Sequence, residues 1–268
     1  MSRIPITLNS LRGSGRKALV AFITGGDPNK ATTAPAMHAL VAGGADVIEV
    51  GVPFSDPEAE GPAVQKSSER ALAAGTRLAD ILDIVTEFRA QDATTPVLLM
   101  GYLNSIERMG YGEFVNRAAA AGVDGLILVN LPPEEAGELR ESMRARGLEL
   151  IFLIAPTTTP ERIRLIAGHA GGFIYYVALK GVTGATHLRI DGIAEQIARI
   201  RSHTDIPIMI GFGIKDGTSA RMVAPLADGV VVGSSLVTTM ERLEREPERI
   251  APALREQILE IRTAIDNV

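Results

Sequence analysis

Eight short apolar runs recur along the whole chain, and more polar segments separate them. They are rich in β-branched residues and nearly continuous in hydrophobic residues, as is typical of parallel strands covered on both faces. The pattern therefore predicts eight strands. They cover residues 18–23, 47–52, 97–102, 125–129, 150–154, 173–177, 206–210 and 230–232.

Helical patterns alternate with these runs. Residues 133–146 and 160–169, for example, each open with proline and carry an early glutamate, which is typical of helix starts. No break in composition marks a linker. Eight repeats favour an α/β fold in which residues 1–268 form a single closed (β/α)8 barrel, the TIM-barrel architecture, and an open doubly wound sheet is the alternative.

Both ends of the chain carry apolar residues at helical spacing, and we expect them to pack rather than to function. Near the start they predict an extra N-terminal helix that covers the barrel floor, with Ile4, Leu8 and Leu11. Near the end they predict one buried stripe, with Ile250, Leu254, Ile258 and Ile265.

Composition narrows the classes of function. Hydrophobic residues make up 46% and charged residues 22% of 268 residues, which is close to the average for a soluble globular protein. The net charge of −5 and the lack of a long basic run argue against nucleic acid or an anionic membrane surface as a partner. We see no signal-peptide-like or membrane-spanning stretch and expect a cytoplasmic protein.

The chain has no cysteine, which excludes disulfides, thiolate metal sites and cysteine nucleophiles. Its four histidines are scattered and show no metal-ligand spacing, so no bound metal is predicted. They are His38, His169, His187 and His203. Neither a Walker loop nor a GxGxxG segment opening a helix is present, so the sequence shows no clear binding motif for a nucleotide cofactor.

Glu49 is the first candidate for chemistry, because its carboxylate interrupts the otherwise apolar run 47–52. Burial without a partner favours the neutral form of a carboxyl group and raises its pKa, which suits proton transfer near neutral pH. The pattern leaves an alternative open: a glutamate at a strand mouth that is solvated or paired with a lysine.

Three glycine-bearing segments follow late strands, at 181–185, 211–213 and 233–235. Glycine lets backbone N–H groups approach an anion closely, and barrels often bind phosphate with the loops after strands seven and eight. Each segment alone could be a tight turn. Because all three fall at the same end of the barrel, we interpret them as a phosphate site.

Large apolar and aromatic residues near the strand ends surround the same predicted mouth, and they would suit an aromatic ligand. They are Phe22, Met100, Tyr102, Ile127, Tyr175 and Phe212. Ordinary barrel core would explain any one of them alone. The long polar connection that starts at residue 53 also leaves this face, and a long loop there is usually functional.

Residues 45–57 read Ala-Asp-Val-Ile-Glu-Val-Gly-Val-Pro-Phe-Ser-Asp-Pro and resemble the signature segment of the tryptophan synthase alpha chain family. Further matching positions are spread over nearly the full chain. They are 22–24, 26–28, 61–62, Gln65, Tyr102, Asn104, Pro132, 134–135, 181–184, 211–213 and 233–234.

The resemblance implies a retro-aldol cleavage of indole-3-glycerol phosphate into indole and glyceraldehyde 3-phosphate, without a cofactor in this chain. It implies that Glu49 moves protons and that Glu60 stabilises the positive charge on the indole ring N–H. Tyr175 and Thr183 match positions that line the indole site. The implied phosphate site consists of Gly184, Gly213, Gly233 and Ser234.

The resemblance also implies a partner. The family forms an α2β2 complex in which indole passes to a beta subunit that holds pyridoxal phosphate. Asp56, Asn104 and Pro132 match positions that lie toward this partner.

Several positions depart from the family pattern. Ala178 and Lys180 replace small hydroxyl residues, and Glu58 adds a negative charge beside Glu60. Glu60 stands where the family has an aspartate, so its carboxylate is one methylene farther from the backbone, and Asn130 stands where an aspartate is usual. A misplacement of about 1 Å can cost roughly a hundredfold in rate. One alternative is therefore a homologue of low activity that binds the substrate or the beta subunit, and another is a different phosphate-binding barrel enzyme.

Overall fold

A closed barrel of eight parallel strands, hydrogen-bonded in sequence order from β1 to β8, forms the centre of the fold. The structure is a computed structural model that describes residues 2–178, 190–211 and 213–268. Every predicted strand is present, with ends that differ by at most two residues. The strands are β1 Ala18–Thr24, β2 Val47–Gly51, β3 Val97–Gly101, β4 Gly125–Leu128, β5 Glu149–Ile154, β6 Ile174–Val177, β7 Ile208–Gly211 and β8 Gly229–Val232.

Helices fill the connections and cover the outside of the barrel. They are α1 Arg3–Gly13, α2 Lys30–Ala42, α3 Pro62–Ala73, α4 Leu78–Arg89, α5 Leu103–Met109, α6 Tyr111–Ala121, α7 Gly137–Ala145, α8 Pro160–His169, α9 Ile190–Arg201, α10 Gly217–Val223, α11 Ser234–Arg242 and α12 Ile250–Asp266. In the described ranges, none of these helices is long and apolar enough to cross a membrane.

The starts of the helices show why these segments fold as they do. Thr159 caps α8 by accepting a hydrogen bond from Arg162 N at 3.3 Å, and Pro160 occupies the first turn, where a missing N–H costs nothing. The single helix predicted over 133–146 is instead a 3₁₀ turn, Pro133–Glu135, followed by α7. The turn is tighter because Ala136 N bonds to Pro133 O, an i→i+3 contact.

Successive side chains of each strand point alternately into the barrel interior and toward the layer of helices. In β2, Ile48 and Val50 belong to the cluster beneath the helices, whereas Val47 belongs to the interior cluster. Glu49 shares the face of Val47, because side chains two positions apart on a strand point the same way. The strand pattern alone therefore directs Glu49 into the barrel, where it is the register partner of Phe22 in β1.

The floor of the barrel is closed by α1, as the sequence predicts. Ile4, Leu8 and Leu11 are buried in the interior cluster. The start of the helix is held by Asp124, which accepts from Arg3 N at 2.8 Å and pairs with Arg89 Nη2 at 2.8 Å. The predicted C-terminal stripe is buried too, and α12 packs against α2. The opposite end, where the strands finish, is where a ligand can enter.

Candidate active site

A cavity of about 170 Å³ lies at the carboxyl ends of the strands. Two carboxylates, three large side chains and several glycines meet around it. Its lining consists of Phe22, Glu49, Glu60, Val64, Met100, Tyr175, Gly211, Gly213, Ile214, Val231, Gly233 and Ser234. Residues predicted from six separate stretches of sequence thus meet at one site.

Glu49 is fully buried, and neither of its carboxylate oxygens has a hydrogen-bond partner in the described part of the chain. Burial, and secondarily the negative charge of Glu60, raises the pKa of Glu49 to about 8. At neutral pH the group is therefore mostly protonated. An acid that carries a proton at pH 7 and faces a cavity can donate that proton to a bound molecule.

Glu60 lies in the connection between β2 and α3 and is half-buried. Burial raises its pKa to about 7, so it is partly ionised at neutral pH. When Glu60 is charged, its field helps to keep the proton on Glu49. At neutral pH Glu49 is thus protonated to a greater extent than Glu60, which is the direction that an acid role for Glu49 and an electrostatic role for Glu60 require.

Phe22, Met100 and Tyr175 are the large side chains of the apolar part of the lining. Burial raises the pKa of Tyr175 well above its ordinary range, and the charges of Glu49 and Glu60 add to this, so the phenol stays neutral. Gly211 is required at its position, because an added Cβ would collide with the Tyr175 ring and hydroxyl. These walls can contact a flat aromatic molecule next to the two carboxyl groups.

Gly213, Gly233 and Ser234 form a polar part of the same lining. Gly213 has a φ of +43°, in the region that favours glycine. Ser234 begins α11, and the first N–H groups of a helix have no partner within the helix. Such N–H groups and the serine hydroxyl can hold the oxygens of a phosphate.

Two predicted ligand contacts lie outside this lining. Tyr102 is buried, but its hydroxyl accepts a hydrogen bond from Ala59 N at 3.0 Å and its ring stacks on Phe54 with 4.9 Å between centroids. Ile127 is fully buried within the interior cluster, together with residues of α1. Thr183, Gly184 and Phe212 lie outside the described residues.

The residues predicted to face a partner lie at the same end of the barrel, Asp56 after β2, Asn104 in the first turn of α5 and Pro132 after β4. Asp56 and Asn104 are exposed, and Pro132 is half-buried. Asn130 joins the connection after β4 to the start of α5, because its Oδ1 accepts from Leu103 N at 2.8 Å and its Nδ2 donates to Asn104 Oδ1 at 3.1 Å. The departure at Asn130 thus provides a donor that an ionised aspartate lacks.

Sequence reasoning missed three lining residues: Val64, Ile214 and Val231. Val231 could have been found, because it shares a strand face with Gly233. Val64 and Ile214 are single apolar residues that follow the polar stretch at Glu60 and the Gly213 turn, and nothing in their own pattern distinguishes them from core. In the ranges that the structure describes, no three histidine or acidic residues group as metal ligands would.

Comparison with known proteins gives a consistent result. The family model for the tryptophan synthase alpha chain matches residues 8–266. The tryptophan synthase alpha chain of Nitrosococcus oceani is 53% identical over 266 residues, covering 99% of this chain and 98% of that protein. That of Thioalkalivibrio sulfidiphilus is 52% identical, covering 99% and 100%. The crystal structure of tryptophan synthase subunit alpha from Legionella pneumophila superposes with a TM-score of 0.94 at 43% identity, with full coverage of both chains.

Proposed function

Because the chain belongs to the tryptophan synthase alpha chain family, we infer that it is a lyase of tryptophan biosynthesis that cleaves indole-3-glycerol phosphate into indole and glyceraldehyde 3-phosphate. The observation that carries this proposal is the pair of carboxyl groups with raised pKa values on one cavity, Glu49 at about 8 and Glu60 at about 7. The apolar walls fit an indole ring, and the amides around Gly213, Gly233 and Ser234 fit a phosphate.

The proposed reaction uses Glu49 twice. Its protonated form donates a proton to the indole carbon that carries the side chain, which leaves a positive charge on the ring nitrogen and a carboxylate at position 49. That carboxylate then takes the proton of the adjacent hydroxyl group. The carbon–carbon bond breaks, its electrons return to the ring, and the hydroxyl carbon becomes the aldehyde of glyceraldehyde 3-phosphate.

Glu60 stabilises the intermediate of this sequence. Its carboxylate lies on the same cavity, and a negative charge near the ring N–H favours the cationic ring. This role needs Glu60 ionised, whereas the first step needs Glu49 protonated. We expect kcat/KM to rise as pH passes about 7 and to fall above about 8, since kcat/KM reports the pKa values of the two groups in the free enzyme.

The pH–rate profile of Glu60→Gln tests this assignment. The rise near pH 7 should be lost in this variant, and the fall above about 8 should move to lower pH, because the charge at position 60 helps to raise the pKa of Glu49. A profile that keeps the rise near pH 7 would contradict the assignment of that limb to Glu60.

The second candidate function is binding of the substrate or the beta subunit with low turnover, and the length of the Glu60 side chain favours it. The family has an aspartate at this position, so the Glu60→Asp variant distinguishes an efficient lyase from a chain of low turnover. A roughly tenfold or larger rise in kcat would mean that glutamate limits turnover, on the scale of about a hundredfold per 1 Å of misplacement. A fall would mean that this loop is adapted to glutamate.

The direct experiment is an assay of indole release from indole-3-glycerol phosphate by the purified chain, with and without a tryptophan synthase beta subunit. Glu49→Gln should lower the rate by about a hundredfold or more, which is the usual contribution of a general acid or base. Glu256→Gln, on an exposed face of α12, is the matched control and should retain the wild-type rate. An unchanged rate in Glu49→Gln would refute the proton-transfer role.

We also propose that the surface formed by Asp56, Asn104 and Pro132 faces a beta subunit in an α2β2 complex, and that this beta subunit holds the pyridoxal phosphate. This assignment is supported by their exposure beside the cavity mouth and by the membership of the chain in the family. The cytoplasm is the proposed location, because it is where amino-acid biosynthesis takes place. An Asp56→Lys variant should weaken beta-subunit binding without changing indole release by the isolated chain, and unchanged binding would argue against this face.

A further inference from the structure

Two side chains hold the backbone on either side of Glu60. The Tyr102 hydroxyl accepts a hydrogen bond from Ala59 N at 3.0 Å, and Gln65 Nε2 donates to the carbonyl oxygen of Glu60 at 2.9 Å. We propose that Tyr102 and Gln65 are positioning residues that clamp this stretch of backbone and direct the Glu60 carboxylate into the cavity. The proposal rests on the function inferred above.

The stretch needs such a clamp because little else holds it. Residues 52–61 form no helix or strand, and Glu58 and Ala59 are exposed. The nearest internal contacts are short turns, such as Glu60 N to Pro57 O at 3.0 Å. A loop held only by such turns can shift by an ångström, which is enough to change a rate by orders of magnitude.

Both clamping side chains start from rigid parts of the fold. Tyr102 follows the last residue of β3 and is 7% exposed, and its ring makes a second contact with the stretch by stacking on Phe54 at an angle of 23°. Gln65 lies in the first turn of α3, where its own N–H bonds to Gly61 O at 3.0 Å. The backbone at Glu60 is therefore tied to the barrel on one side and to α3 on the other.

The position of Tyr102 distinguishes this role from a direct substrate contact. The residue lies beside the connection rather than on the cavity lining, and its oxygen is already engaged with Ala59. Burial raises the pKa of the phenol, so the hydroxyl stays neutral at working pH. A residue that touched the substrate would chiefly set KM, whereas a clamp on Glu60 acts on kcat.

Two variants test the clamp. Tyr102→Phe removes only the hydroxyl, and Gln65→Met removes the donor at similar side-chain length. In each we expect kcat to fall about tenfold with KM within about twofold. The rise in rate near pH 7 should move to lower pH, because a loosened Glu60 is better hydrated and loses part of its raised pKa. Tyr111→Phe is the control, since that hydroxyl is exposed and its hydrogen bond within the described residues is a long one, to Glu107 at 3.4 Å.

Hydrogen exchange at the Ala59 amide provides a readout that does not depend on turnover. Tyr102→Phe should speed this exchange about fivefold, the equivalent of one lost hydrogen bond, and Tyr111→Phe should leave it unchanged. An unchanged Ala59 exchange rate in Tyr102→Phe, or a raised KM with an unchanged kcat, would overturn the clamp. If the wild-type chain releases no indole, the inferred function fails and the exchange rates alone decide the clamp.

Discussion

The burial of Glu49 without a hydrogen-bond partner predicts a specific dependence of stability on pH. The perturbation is Glu49→Gln, which keeps the size of the side chain and removes its charge at every pH. In the wild-type protein the pKa of Glu49 is about 8 when folded, against 4.5 for an ordinary glutamate. The folded state thus holds a proton that the unfolded state releases between these two values.

The sign and size of the effect follow from that difference. Because the folded pKa is the higher one, the stabilisation from the neutral carboxyl group is fully present below pH 4.5 and is lost as pH rises to about 8. Each pKa unit corresponds to about 1.4 kcal/mol. Between pH 6 and pH 9 the wild-type protein should therefore lose about 3 kcal/mol of unfolding free energy that Glu49→Gln does not lose.

The assay is equilibrium unfolding in urea at pH 6, 7.5 and 9 for the wild type, Glu49→Gln and the exposed control Glu256→Gln. The difference between wild type and Glu49→Gln should widen in favour of the variant as pH rises, while the control stays parallel to the wild type. Differences that remain constant within about 0.5 kcal/mol from pH 6 to 9 would refute the reasoning, because they would show that Glu49 ionises without a burial penalty.

Further predictions concern packing around the site and the floor. Gly211→Ala should raise KM by about tenfold, because the new Cβ collides with Tyr175, and steady-state kinetics that show no change would contradict the close approach. Arg262→Met should destabilise the fold by about 3 kcal/mol in urea unfolding, because it removes a buried guanidinium that pairs with half-buried Asp46 at 3.0 Å. Asp124→Asn should lower the unfolding free energy by about 2 kcal/mol in the same assay, since Asp124 is 1% exposed and accepts from several donors. For either variant, a loss below about 0.5 kcal/mol would show that the contacts removed contribute little to stability.

The barrel could be predicted from the sequence because its strands are short apolar runs that repeat at regular intervals. The inward direction of Glu49 also follows from pattern alone, since Val47 and Glu49 alternate with Ile48 and Val50. The place of Gly213 and Gly233 at the cavity was predictable for the same local reason, because each lies within two residues of the end of a late strand. In these cases the information lies within a few consecutive residues.

Tyr102 and Ile127 were predicted to contact the ligand, but neither lies on the cavity lining, for reasons that the sequence of a single strand does not contain. The third strand was expected to reach residue 102, which would have placed Tyr102 on the same face as Met100. It ends at Gly101 instead, and Tyr102 is the residue directly before α5, with its side chain turned toward Ala59 and Phe54 and away from the interior. Ile127 has the expected inward direction but lies deeper, because depth in a barrel is set by the stagger between strands.

The closed floor also determines how a small apolar product can travel. Below Glu49 the barrel interior is packed with the side chains of its strands and the residues of α1, such as Ile4 and Leu8. Because this floor is packed, indole released by the cleavage proposed above would leave at the carboxyl ends of the strands, the end at which Asp56 and Asn104 are exposed. A partner docked at that end would stand between the cavity and the solvent.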